Sequence, residues 1–337
     1  MKVHLNLVKS DANPILTVNP EVDWESQAVF NCGVCYKNGY FHMLYRAIGE
    51  YENYISRLGY ARSSDGVNFK RMSDKPVLSP ELPYEKWGCE DPRIIMLEGE
   101  IYITYVVLSR SCKQGAGVIR TALAKTKDFY TYERLGIITP DIAIDKDVVI
   151  FPEKINGKYV MLHRPHNWVN GEIKKEGKKL LILVDGNYVR WDLPEIPARF
   201  PDKPSIWMAY SDDLLHWSGH KILMEPKFRW ENWKIGGGCP PIKTEKGWLL
   251  LNHGVERETG KTNYRASLAM LDLKDPEKVI YRPEEPILSP ELKYELLGDV
   301  PNVVFPEGAV LKEGKLYMYY GGGDKCINLA TGELSFE

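Results

Sequence analysis

Along this chain apolar and polar residues alternate in short runs, and five times the alternation breaks at a glycine and then resumes. The five stretches are GVCYKNGYFHMLYRA (33–47), RIIMLEGEIYITYVV (93–107), FPEKINGKYVMLHRP (151–165), PIKTEKGWLLLNHGV (241–255) and AVLKEGKLYMYYGGG (309–323). A period of two puts successive side chains on opposite faces of a strand. A tight loop between two such strands favours Gly, often after Asn or a charged residue, because its backbone takes positive φ. Each stretch therefore predicts a β-hairpin, turning at Gly39, Gly99, Gly157, Gly247 or Gly314. Downstream, YARSSDGVNF (60–69), ALAKTKDFYTYERL (122–135) and MAYSDDLLHWSGHKIL (208–223) predict a third strand closed by a Ser/Thr, Asp and aromatic turn. A fourth strand then leads into the next unit, and the near-duplicates PVLSPELPYE (76–85) and PILSPELKYE (286–295) hold equivalent places after it.

Four-stranded units of this kind cannot bury their faces alone and stack around an axis. The expected fold is all-β: a five-bladed β-propeller with four-stranded antiparallel blades around a central channel, in a single catalytic domain over 1–337. Spacings between the turn glycines are 60, 58, 90 and 67 residues, so the third interval carries an insertion near 166–205. Its KKEGKK and LPEIPARFPDKP segments suggest an excursion that covers the site. The C-terminal INLATGEL (327–334) reads as a third strand, which leaves the N-terminal segment to complete the last blade.

Composition narrows the partners. At 44% hydrophobic and 11% aromatic the chain can bury a large core, and a formal charge of −2 with no long basic run argues against nucleic acid. MKVHLNLVKS lacks the apolar stretch of an export signal and no segment approaches 18 apolar residues, so neither export nor membrane insertion is expected, and the cytoplasm is the expected location. Six cysteines are too sparse for a disulfide scaffold. Cys32 and Cys35 form a CxxC, but within a strand they face opposite sides and read as structural thiols.

In a propeller the innermost strands face the channel, so polar residues in or beside them converge from five directions. That geometry selects Asn31, Arg46, Glu90, Asp91, Arg93, Lys146, Asp147, Arg164, Lys234, His253, Glu307 and Asp324. Several lie beside Gly or Pro, in GCEDPR, KIGGGCPP and FPEG, where backbone bends can aim a side chain inward. Arg62 joins the substrate-binding set, as does Trp87, the aromatic next to GCEDPR, as a sugar-stacking candidate. No cluster of His, Asp and Glu has metal-ligand spacing, so no metal is expected.

Glu90-Asp91-Pro92-Arg93, Lys146-Asp147 leading into FPEKINGKYVMLHRP, WKIGGGCPPIKTEKGWLLLNHGV and FPEGAVLKEGKLYMYYGGGD together resemble glycoside hydrolase family 130, the mannoside phosphorylases and related β-mannosidases, along nearly the whole chain. Departures are small: Gly237 and Cys239 in a loop that usually reads GAGPPP, and Cys32 where many relatives carry a small residue or proline. The resemblance implies that Asp91 is the catalytic acid, acting through a hydroxyl of the bound mannose. Such an acid must stay protonated near neutral pH, which a crowded channel and the neighbouring Glu90 would supply. It further implies that Lys146, Arg164 and Lys234 bind phosphate, helped by His163 or His166. The rest of the channel set, Asn31, Arg46, Arg93, Asp147, His253, Glu307 and Asp324, is expected with Arg62 and Trp87 to bind substrate.

Three cations around one small pocket repel unless an anion sits among them. An inverting hydrolase needs a second carboxylate, about 6.5–9.5 Å from the acid, to activate water. A phosphorylase needs cationic clamps instead. The expected reaction is therefore inverting phosphorolysis of a β-mannoside to α-mannose 1-phosphate, a glycosyl transfer with inorganic phosphate as co-substrate and no cofactor. Hydrolysis with Glu307 or Asp324 as base is the alternative, and a non-catalytic sugar-binding propeller the second. The KDVVIFPEKINGKY form leans toward β-1,2 linkage, with β-1,4 open. Many relatives assemble, so a homo-oligomer with contacts at 166–205 is a further expectation.

Overall fold

The computed structural model describes residues 2–109, 119–140, 144–166 and 200–337, together with the backbone of three strands between 173 and 191. Strands β1 (Val3–Leu5) and β2 (Val8–Lys9) precede the first hairpin. The first blade is β3 (Ala28–Lys37), β4 (Tyr40–Ile48), β5 (Ser56–Ser63) and β6 (Lys70–Arg71); the second is β7 (Cys89–Leu97), β8 (Glu100–Leu108), β9 (Ile119–Thr126) and β10 (Glu133–Ile137). In the third, β11 (Asp145–Ile150) and β12 (Tyr159–Pro165) pair as a hairpin. A separate three-stranded sheet follows, β13 (Ile173–Glu176), β14 (Lys179–Val184) and β15 (Asn187–Trp191), before β16 (Ile206–Ser211) and β17 (Trp217–Met224) complete the blade. This sheet is the insertion read from the glycine spacing; its expected roles as cover and contact fall on residues outside those described.

The fourth blade splits its innermost strand into β18 (Lys234–Gly237) and β19 (Ile242–Lys243), both paired with β20 (Trp248–Glu258), followed by β21 (Lys261–Leu271) and β22 (Val279–Tyr281). The fifth is β23 (Val304–Lys312), β24 (Lys315–Gly322) and β25 (Cys326–Phe336), finished by β1 and β2, with Val3 opposite Phe336 and Val8 opposite Thr331. The ring is thus five antiparallel blades, closed by the N-terminal segment as the sequence predicts. No helix among the described residues is long and apolar enough to cross a membrane.

Four hairpins turn the same way, with both central residues left-handed: Asn38 and Gly39 at φ 51° and 83°, Glu98 and Gly99 at 52° and 82°, Asn156 and Gly157 at 51° and 81°, Glu313 and Gly314 at 53° and 82°. These are the two-residue turns whose twist matches the flanking strands. The fourth in chain order is wider, with the Thr244 N–H donating to the Gly247 carbonyl at 3.0 Å.

The core lies between blades. Val149, Leu162 and Met208 of the third blade meet Ile235, Leu250 and Ala269 of the fourth, and Val29, Cys32 and Met43 of the first meet Tyr319 and Ile327 of the fifth. Cys35 packs on the other side of β3, against Ile94 and Ile103 of the second blade, so Cys32 and Cys35 do face apart.

One device recurs that sequence reading did not single out. Before the innermost strands of four blades a short helical turn carries a fully buried glutamate: Glu25, Glu85, Glu231 and Glu295. Glu85 accepts the Tyr105 hydroxyl at 2.7 Å, Arg134 Nε at 3.0 Å, and the Glu81 and Leu82 amides at 2.9 and 3.0 Å. Glu295 repeats the pattern with Tyr320 and with Lys9 of β2, so the closing segment is fastened by the same kind of pair.

Candidate active site

Each innermost strand enters at one face of the ring and leaves at the hairpin face. Asn31, Asp91, Asp147 and Lys234 lie near the entering ends, and Arg46, Arg164 and His253 lie on the second strands beside the same mouth. Three of these strands slip register at the site: between Phe30 and Cys32, between Glu90 and Arg93, and between Lys146 and Val149. The residue in each bulge is left-handed, Asn31 at φ 45°, Asp91 at 48° and Asp147 at 58°. Asn and Asp tolerate this conformation best among residues with side chains, and a bulge re-aims the side chain it carries. A fourth slip, between Pro306 and Gly308, presents Glu307. In the fourth blade β18 pairs with β20 without a slip. There Gly236 makes the room, since a side chain at that position would collide with the Asp147 carboxylate and the His253 ring.

The carboxylate pair is held by one fork. Arg46 donates from Nη1 to Asp91 Oδ1 at 3.0 Å and from Nη2 to Glu90 Oε1 at 2.7 Å. Its Nε donates to Ser56 Oγ at 2.9 Å, and Ser56 Oγ in turn donates to Glu90. Asn31 Nδ2 adds a bond to Asp91 Oδ1 at 2.9 Å. Burial raises Asp91, but Arg46, Lys146, Arg93 and the Asn31 bond outweigh it and hold the carboxyl below its ordinary value. Burial, with Asp91 adding to it against Arg46, raises Glu90. The expectation that crowding and Glu90 keep Asp91 protonated is corrected: the cations favour charge on Asp91, while burial raises its neighbour Glu90.

Arg93 is almost fully buried beneath this pair. Its Nε donates to the Gly238 carbonyl and its Nη1 to the Asp91 carbonyl, both at 2.9 Å, with Glu307 Oε1 also 2.9 Å from Nη1. It bolts the second blade to the fourth and fifth at the axis. Burial raises Glu307 well above a normal carboxyl, against the pull of Arg93.

The cations gather on the other side of the mouth. Arg164 Nε donates to Asp147 Oδ2 at 2.6 Å, and Asp147 is held very low because Arg164, His253, Arg93 and Lys146 overcome its burial. Lys234 is 7% exposed, with its ammonium 4.4 Å from the Trp233 ring centre and 5.1 Å from that of Tyr264. Burial, reinforced by Arg164 and Lys146, lowers it well below a normal lysine. Neither Lys146 nor Lys234 has a carboxylate within salt-bridge distance among the described residues. Burial lowers His253 to about 3, and its ring packs 4.6 Å from that of Phe305. Asp324, left-handed at φ 49° in the turn after β24, is raised to about 6 by burial and by Asp91, against Arg46 and Lys146.

Two expected placements are corrected. His163 does not join the cations: its neighbour Arg164 takes the site face of β12, and both ring nitrogens of His163 are engaged on the other face, by Asp145 and His220. His166 does stand beside them, lowered to about 3 by burial first and then by Arg164, Lys234 and Lys146. Arg62 pairs across β4 with His42, four residues and roughly 13 Å along the strand from Arg46. There it lies over the Tyr40 ring at 4.3 Å, away from the mouth. Trp87 is half-buried at the edge of the second blade, with Lys86 5.6 Å from its ring centre. Ser56, Trp233 and Tyr264 belong to the site and went unread. Trp233 carried a signal, an aromatic directly before a candidate cation; Ser56 and Tyr264 sit on third strands and carried none.

A propeller that gathers buried carboxylates, one guanidinium fork and a group of under-neutralised cations at one axial mouth is a carbohydrate-active β-propeller enzyme. The chain belongs to glycoside hydrolase family 130: the family described as β-1,4-mannooligosaccharide phosphorylase matches residues 9–175 and 174–335. It is 41% identical over 336 residues to a 1,2-β-oligomannan phosphorylase of Thermoanaerobacter sp. (strain X514), covering 98% of each chain. To a β-1,2-mannobiose phosphorylase of the same organism it is 40% identical, with 96% of each chain covered. The solved structure of the β-1,2-mannobiose phosphorylase from Listeria innocua, in complex with β-1,2-mannobiose, superposes with a TM-score of 0.76 at 29% identity, over 99% of this chain and 97% of that one.

Proposed function

We propose that residues 1–337 act as one catalytic domain that phosphorolyses a β-1,2-linked mannoside in the cytoplasm, giving α-mannose 1-phosphate and a sugar shortened by one unit. Phosphate occupies the space among Lys146, Arg164 and Lys234, with His166 beside it, and needs no further cofactor. The observation that carries this reading is the charge imbalance there: of the three cations, only Arg164 is paired with a carboxylate among the described residues. A phosphate oxygen attacks C1 of the mannosyl unit from the face opposite the leaving sugar, forming the C1–O–P bond as the glycosidic C1–O bond breaks. The proton for the departing oxygen comes from Asp91 through a mannose hydroxyl. An anion among the cations offsets the field that keeps Asp91 ionised and so raises its affinity for that proton. Asn31 and Arg46 hold the acid in place.

A hydrolytic reading has one observation in its favour. Asp324, near 6, is ionised at neutral pH and able to take a proton from water, whereas burial disfavours the charged form that Glu307 would need as a base. Mannose release with and without phosphate separates the two. Phosphorolysis predicts α-mannose 1-phosphate formation that depends on phosphate, and brisk release of free mannose in phosphate-free buffer would overturn it.

A further inference from the structure

Behind the rung formed by Lys146 and Arg164, on the other face of the same two strands, runs a buried polar chain that phosphate would not touch. Asp145 Oδ2 lies 2.8 Å from His163 Nδ1, and His163 Nε2 lies 3.0 Å from His220 Nδ1. The three residues are 0%, 1% and 5% exposed. They come from β11, β12 and β17, and the ring of Trp207 from β16 lies 6.5 Å from that of His163, so the chain crosses all four strands of the third blade. A neutral imidazole has one donor and one acceptor. Asp145 at Nδ1 and His220 at Nε2 engage both ring nitrogens of His163, which fixes the ring plane.

The place of this chain gives it a purpose. Lys146 pairs with Arg164, and the register then slips until Val149 pairs with Leu162, so His163 stands opposite the bulge that carries Asp147. A bulge leaves its extra residue unpaired and the ladder locally disrupted. Asp145, just before the bulge, is fastened across the sheet by His163, and its carbonyl accepts the Thr121 hydroxyl of the second blade at 3.2 Å. Packing alone does not require polar groups here, since apolar residues of similar volume fill such a space at least as well.

We propose that Asp145, His163 and His220 are positioning residues for phosphate: they lock the bulge in β11 so that Lys146 and Arg164 face the mouth at a fixed separation. This rests on the reading of those two cations as phosphate ligands. Misplacing a binding group by an ångström can cost on the order of 10²-fold. His163→Phe keeps a ring of similar size and removes both hydrogen bonds. It should raise KM for phosphate by about 10- to 100-fold, leave KM for the mannoside within about twofold, and change kcat little. His163→Asn, which restores a donor and an acceptor, should recover part of the loss. His220→Phe breaks the far bond but keeps the one between His163 and Asp145, and should give a smaller rise, again in phosphate alone; it serves as the test if His163→Phe does not fold. Folded variants with unchanged phosphate KM, or with equal rises in both KM values, overturn the proposal. A wild-type enzyme indifferent to phosphate would instead sink the phosphorylase reading itself.

Discussion

At the scale of single residues, the site works by placing like charges close together and letting burial sort their protons. Asp91 and Glu90 share Arg46, and the field of Lys146 and Arg93 falls more heavily on Asp91. Replacing Asp91 by Asn keeps size and hydrogen bonding but removes the transferable proton. Turnover should fall on the order of 10²- to 10⁴-fold while the circular dichroism spectrum is unchanged; comparable activity would assign the acid elsewhere. Asp324 supplies the pH dependence. Its folded value is raised from 3.8 to about 6, so the folded protein holds a proton that the unfolded chain has lost, and its contribution to stability falls as pH rises through that window. In activity, kcat/KM should show an ionisation near 6, and Asp324→Asn should abolish it. If that limb persists in the variant, the titrating group is another.

At the scale of elements, the bulged innermost strand and the buried glutamate before it form one working unit. The bulge turns a side chain into the mouth, and the glutamate holds the start of the strand against the second and outer strands of its blade. Removing one partner of a buried ionic pair leaves an uncompensated charge, at a cost of about 3–5 kcal/mol. Glu85→Ala, which leaves Arg134 with the exposed Glu81 and the Ser79 carbonyl, should lose up to about that much in denaturant unfolding. Tyr105→Phe removes one hydrogen bond and should cost about 1–3 kcal/mol, because the carboxylate it leaves remains buried. An Ala variant within about 1 kcal/mol of wild type would mean that Arg134 and the backbone amides find other partners.

At the scale of the whole molecule, the ring depends on a segment from the far end of the chain. β25 is 11 residues long, and without β1 and β2 its outer edge would present unpaired amides and carbonyls, a template for aggregation. The same segment brings Lys9 to the fully buried Glu295 at 2.8 Å. Deleting residues 2–9 should therefore lower the unfolding midpoint and shift the protein toward aggregates in size-exclusion chromatography. A monodisperse truncated protein with an unchanged midpoint would show that closure does not depend on the N-terminal strands.

The sequence by itself determined the number of blades, their order and the way the ring closes. Those features rest on a period of two, on glycine in tight turns and on a last blade short of one strand, all of which are local and survive in a string of letters. It also brought out most of the charged set, because Asn31, Asp91, Asp147 and Lys234 recur at the start of successive innermost strands. Only the tertiary structure decided which way each group faces and which charge it carries. Alternation along a strand sets His163 and His166 apart, but only the closed ring shows that His163 is fastened behind the sheet and His166 stands among the cations. Arg62 is as cationic as Arg46 but lies roughly 13 Å along the blade from the mouth. Asp91 is lowered while Glu90 is raised because Arg46, Lys146 and Arg93 converge on Asp91 from three blades. Distances between residues so far apart in the chain, and the loss of water around them, exist only once the ring has closed.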